Sequence, residues 1–185
     1  MSITLAELAV EASTCTRCEL ADGRINVVFG TGDPEADIMF VGEGPGANED
    51  KQGLPFVGRS GELLDRLMTE EMGLDRTHCY IANVVKCRPP GNRDPLPAEI
   101  AACRPYLETQ IELIEPRVIV TLGNFAAKLL LDTTTGITKL RGSTYPYGDV
   151  VLVPTFHPAA VLRGGGEKMA QMRADFVRAK LAATS

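Results

Sequence analysis

Apolar residues follow two rhythms along this chain. Four short runs rich in Val, Ile, Leu and Phe, at Asp37 to Gly42, Cys79 to Lys86, Val118 to Gly123 and Val150 to Pro154, are apolar at most positions in succession. Unbroken runs of that length suit strands buried on both faces. Between them the apolar residues are spaced for a helix. Ser60 to Met72 carries leucines at 63, 64 and 67, and Ala98 to Ile114 begins just after Pro97, whose fixed φ suits a first helical turn. Glu167 to Ala183 sets Met169, Met172, Phe176 and Val177 on one side and predicts a closing surface helix. Strand and helix alternate, which predicts an α/β fold: one three-layer α/β/α domain over residues 1–185 with a central four-stranded parallel sheet. Its binding crevice is expected at the carboxyl ends of the strands.

Composition narrows the class. At 185 residues, 44% hydrophobic and 23% charged, the chain has the balance of a globular protein with a real core. The longest stretch without a charged side chain, Val150 to Leu162, is 13 residues and holds two prolines, too short to span a bilayer. The opening MSITLAELAVEAS lacks the basic cluster of a secretory signal, so a cytoplasmic monomer with no membrane association is expected. Nineteen basic against twenty-four acidic residues, a net charge of −5, argue against indiscriminate coating of nucleic acid but leave room for a local basic face.

Polar residues follow each predicted strand: Glu43 in GEGPGANED, Asn83 near the end of the second run, Asn124 after the third and His157 in TFHPAAVL. They are expected to meet at one rim, the competing reading being ordinary turn residues. Five cysteines are too few and too uneven for a secreted disulfide scaffold. Cys15 and Cys18 form a C-x2-C loop, Cys87 follows the second strand and Cys103 lies in the next helix; four thiolates of this kind suit zinc or an iron–sulfur cubane, and spacing does not choose between them. Cys79, inside the second strand, reads as a small buried apolar residue.

These features together resemble the type 4 uracil-DNA glycosylases, the iron–sulfur branch of that superfamily. The resemblance rests on Cys15 and Cys18, on GEGPGANEDKQGLPFVGRSGELLDRL from Gly42 to Leu67, on NVVKCRPPGNRDP from Asn83 to Pro95, on ACRPYL around Cys103 and on HPAAVLRG from His157 to Gly164. It implies a [4Fe-4S] cluster held by Cys15, Cys18, Cys87 and Cys103, uracil-containing DNA as partner, and excision of the base by hydrolysis of its N-glycosidic bond. Such an enzyme must extrude the nucleotide, stack on its face and read its edge. Phe56 can supply the face, from a loop flanked by Gly53, Pro55 and Gly58. Asn83 can supply the edge, its amide donating to uracil O4 and its carbonyl accepting N3–H, a pattern opposite to that of cytosine. His157, held out of helical backbone by Pro158, is implied near uracil O2, where charge develops. The Gly42 to Gly46 loop, with Gly44 inside it, can add backbone donors.

For the cationic sugar, Glu43 is the first candidate and Glu49 the second, the latter bonded to Asn92, with Asp50 structural. Type 1 enzymes carry an aspartate where this chain has Gly44. Val161, Leu162 and Arg163 are implied to form a loop wedge that enters the minor groove. Lys86, Arg88, Arg93, Lys139 and Arg141 are candidate phosphate contacts, and His78 an exposed structural residue. Rival readings are a noncatalytic nucleic-acid module around a structural metal, and a nucleoside hydrolase with a phosphate-binding glycine loop; the latter lacks both a Walker A and a GxGxxG pattern.

Overall fold

A computed structural model describes residues 2–185. Six strands form one sheet: β1 Thr31–Gly32, β2 Ile38–Gly42, β3 Tyr80–Asn83, β4 Val118–Leu122, β5 Tyr145–Tyr147 and β6 Val150–Thr155. Nine α-helices accompany them among the described residues: α1 Leu5–Ser13, α2 Leu20–Gly23, α3 Ala47–Gln52, α4 Gly58–Leu67, α5 Pro97–Ile114, α6 Asn124–Leu131, α7 Ile137–Leu140, α8 Pro158–Gly164 and α9 Gly166–Thr184. None is long and apolar enough to cross a membrane.

The sheet order is β1-β3-β2-β4-β6-β5. The four strands expected from the apolar runs are its parallel centre, β3-β2-β4-β6, but the expected four-stranded sheet is corrected to six by an antiparallel strand at each edge. Those edge strands are two and three residues long, too short to impose a rhythm on the sequence. Along β2 the side chains divide between two cores: Ile38 and Phe40 pack with α4 and α9 through Leu64, Leu67, Met172 and Phe176, while Met39 and Val41 face α5 through Leu107 and Ile111. Burial on both faces is why the strand sequence is apolar throughout rather than alternating. The first expected helix begins two residues early at Gly58, and its last residues, Met68–Met72, widen into a π-turn that stops at Gly73, whose φ is +65°.

One buried ion cluster locks the far end of the sheet to α9. Asp175, fully buried, accepts both prongs of Arg141 at 2.9 Å, the Thr155 hydroxyl at 2.7 Å and Arg178 at 2.8 Å. Arg141 is thereby committed inside the fold, which corrects its expected role as a phosphate contact. Asp175→Ala leaves this half-buried guanidinium without its partner and is expected to cost about 3 kcal/mol. Thermal denaturation should then show the midpoint falling by ~10 °C; a fall of under ~2 °C would show that the pair does not hold the helix.

Candidate active site

The carboxyl ends of the parallel strands open into a cavity of about 620 Å³, lined by Glu43, Phe56, Asn83, Asp94, His157 and Arg163 among others. The rim expected from the strand ends is therefore formed. Its tightest point is where β2 and β3 finish side by side, with Gly42 paired to Asn83 in register. A Cβ on Gly42 would collide with the Phe56 ring and stand 2.6 Å from Asn83 Oδ1. Only a residue without a side chain lets these two groups share that space.

Asn83 is 2% exposed, and its Oδ1 is buried without a hydrogen-bond partner. An orphaned amide oxygen at a pocket wall costs stability and calls for a donor from a ligand. Phe56 is 6% exposed, more buried than its expected loop position suggests, and its ring lies 5.6 Å from that of His157 at a 31° tilt. Its backbone is left-handed, at φ +50°, an uncommon state for a residue with a Cβ. Arg76 holds it there: its guanidinium donates to the Pro55 carbonyl at 2.8 Å and to the Phe56 carbonyl, and pairs with Asp65 at 2.6 Å. Gly61 completes the clamp, since a Cβ there would strike the Phe56 carbonyl. Sequence reasoning missed Arg76, because nothing near residue 76 marks it; Gly61 stood inside the quoted motif without an assigned role.

His157 caps α8 from an extended backbone ahead of Pro158. Its Nδ1 accepts from the Ala159 N–H at 3.1 Å, which places the ring proton on Nε2. Burial, aided by the Arg163 charge, pushes its pKa down to about 4, so the ring is neutral and presents one N–H donor. Glu43 responds in the other direction: burial, then the neighbouring Asp94 charge, raises its carboxyl above the ordinary range. Asp94 stands in the quoted GNRDP segment, yet only the fold brings it to Glu43.

Several expected roles are corrected. Glu49 does not bond Asn92; its Oε1 accepts from the Gly46 N–H at 2.9 Å and so caps α3, while Asn92 Oδ1 accepts from Arg88 at 2.7 Å. Asp50 is structural as expected, taking the N–H groups of Ile25 and Asn26. Asn124 lines the cavity as expected, and its Oδ1 accepts the Ile137 N–H at 2.9 Å. The expected wedge loop is the short helix α8, started by Pro158. Val161 is 3% exposed and packs into the core, leaving Leu162 and Arg163 on the surface. Lys86 is 1% exposed and cannot reach a phosphate from there. Arg93 is bidentate with Glu99 at 2.8 and 2.9 Å, which compromises its expected role. His78 is exposed and pairs with Asp75 at 2.9 Å; Cys79 is fully buried, its thiol pushed up to about 12 by burial.

Cys15, Cys18, Cys87 and Cys103 line a second, small cavity together with Arg24, Lys86 and Tyr106. Among the described residues no group of three His, Cys, Asp or Glu side chains closes on a single metal ion. The donor set is nonetheless of one kind, four soft sulfurs, and N–H groups already point at it: Lys86 N–H to Cys103 Sγ at 3.3 Å and Arg24 to Cys87 Sγ at 3.6 Å. Arg24 also fixes the C-x2-C loop by donating to the Cys15 carbonyl at 2.6 Å. Burial pushes the Cys87 thiol up to about 11 and raises Cys103, so a metal must displace these protons to bind. Thiolate acceptors with backbone and guanidinium donors fit an iron–sulfur group.

A family model described as Uracil DNA glycosylase superfamily matches residues 29–179, and the chain belongs to that superfamily. Among similar proteins are type-4 uracil-DNA glycosylases from three organisms. The Sulfurisphaera tokodaii protein is 47% identical over 86% of this chain and 76% of its own length. That of Saccharolobus solfataricus is 49% identical over 84% and 76%, and that of Thermotoga maritima 50% identical over 84% and 81%.

The His157 geometry sets its own test. Followed by NMR, the His157 ring protons should titrate with a midpoint near pH 4; a midpoint above 6 would mean the ring is not desolvated as the structure has it.

Proposed function

We propose that this chain is a type-4 uracil-DNA glycosylase, which flips uracil from DNA and hydrolyses its N-glycosidic bond, leaving an abasic site. The observation that carries the reading is the unpartnered Asn83 Oδ1, buried in a pocket whose walls are Phe56 and His157. Uracil offers an N3–H donor to that oxygen and an O4 acceptor to the amide nitrogen. Cytosine offers a lone pair and an amino group at the same places, so binding it would leave two buried mismatches. The Phe56 ring provides the stacking face. A noncatalytic DNA module has no use for this arrangement, and the similarity to the type-4 enzymes supports the catalytic reading.

The chemistry divides between two sides of the base. As the glycosidic bond breaks, the electron pair moves into the pyrimidine ring and charge gathers on O2, where the His157 Nε2–H donates. A neutral imidazole loses no proton in this role and needs none added, so its low pKa keeps it in one working state across ordinary pH. On the sugar side, the Glu43 carboxylate faces the oxocarbenium-like carbon and orients water toward it. Glu49 acts by shaping the Gly46 turn, and Asn92 by holding Arg88. Leu162 and Arg163 on α8, with Arg88 and Lys139, make up the DNA-facing set; Val161 only anchors that helix. The cysteine cavity is assigned to a [4Fe-4S] cluster on Cys15, Cys18, Cys87 and Cys103. Its chemistry when bound is structural, linking the α1–α2 loop to α5 and to the segment after β3.

DNA bearing one uracil should yield alkali-labile abasic sites on incubation with the protein; intact uracil-DNA would end this reading. Glu43→Gln should slow single-turnover excision about 100-fold with DNA affinity kept within roughly twofold, and unchanged excision would remove Glu43 from the sugar side. Because Glu43 is raised, excision should decline with falling pH at a value above that of an exposed glutamate. Purified anaerobically, the protein should be brown with about four irons per chain; a colourless zinc protein would overturn the cluster assignment alone.

A further inference from the structure

Lys86 is among the largest fully buried side chains, and no carboxylate pairs with its ammonium among the described residues. A buried cation without a counter-charge is costly, so the fold must gain something specific by keeping it. Its Nζ donates to the Asn83 carbonyl at 2.8 Å and to Gln110 Oε1 at 2.6 Å, beneath the Phe29 ring at 5.8 Å. Gln110 is itself fixed, its amide donating to the Phe29 carbonyl at 2.8 Å and to the Tyr80 hydroxyl at 3.4 Å. The Lys86 backbone N–H meanwhile reaches Cys103 Sγ, and the next residue is Cys87.

Lys86 thus stands between two places that the proposed function treats separately. One end holds the main chain of the residue that reads the base, at the last position of β3, where the strand's ladder is running out. The other end belongs to the cysteine cavity, where its backbone N–H donates to Cys103 Sγ at 3.3 Å. We propose that Lys86 is a positioning residue: from a main chain tied to Cys103, its ammonium grips the Asn83 carbonyl and fixes Asn83 in the base-reading orientation. This inference rests on the reading of Asn83 given above.

The test uses holoprotein and separates base recognition from general integrity. Lys86→Met fills similar volume but cannot donate to the Asn83 carbonyl. Three readouts are compared with the parent protein: affinity for free uracil, affinity for DNA carrying an abasic site, and iron content per chain. The expected result is uracil affinity weakened about tenfold, with abasic-DNA affinity and iron content unchanged. Uracil affinity equal to the parent's, or uracil and abasic-DNA affinities lost in parallel, would overturn the proposal, the second pattern being that of a merely structural lysine. If Lys86→Met does not fold, Gln110→Met decides, since it removes the second acceptor of the ammonium without touching any cysteine. Uracil affinity at least about threefold weaker with abasic-DNA binding intact supports the inference, and parental uracil affinity defeats it. Failure of the parent protein itself to bind uracil would instead sink the reading of Asn83 as the base contact.

Discussion

The site depends on two adjacent parallel strands ending in register, with a glycine opposite an asparagine. Gly42 and Asn83 are partners across β2 and β3, and the volume that a side chain at 42 would occupy is shared by the Phe56 ring and the Asn83 amide. Sheet pairing fixes the amide to within the tolerance of a backbone hydrogen-bond ladder. A loop could not hold an unpartnered amide oxygen so steadily, because it would turn to find its own donor. Phe56 needs its own restraint, and obtains it from Arg76 and Gly61 acting on a backbone that is left-handed at that residue.

How much of this was legible in the sequence depends on distance along the chain. The four central strands announce themselves because burial on both faces leaves no room for polar residues, and the polar groups at their ends follow from where such sheets place their crevice. Asn83 and His157 could be singled out on that ground, and the four cysteines by chemistry alone. Contacts made by long side chains across the fold could not. Nothing in VVKCRPP says that Lys86 turns inward to Gln110, 24 residues later, instead of outward to a phosphate. The same holds for Arg141, which meets Asp175 across 34 residues, and for Arg93, drawn to a glutamate that caps α5. Val161 was misplaced for a local reason: Pro158 starts a helix there, and the helix turns one face of the expected wedge into the core.

These corrections change the electrostatic picture of an acidic protein. Of the cations first assigned to DNA, Lys86 and Arg141 are spent inside and Arg93 is shared with Glu99, which leaves Arg163 as the cavity-lining cation not paired with a carboxylate among the described residues. His157 adds no charge beside the cavity, since burial pushes its pKa down to about 4 and keeps the ring neutral.

The edge strands carry a consequence for the molecule's sociability. On one side the sheet finishes in a two-residue strand, and on the other in a three-residue strand whose middle position is Pro146, which has no N–H to offer. Neither border gives a foreign extended peptide enough free amides to zip onto. A chain built this way is guarded against the strand-to-strand sticking that leads to fibres, and its long parallel centre can remain strongly apolar without that hazard.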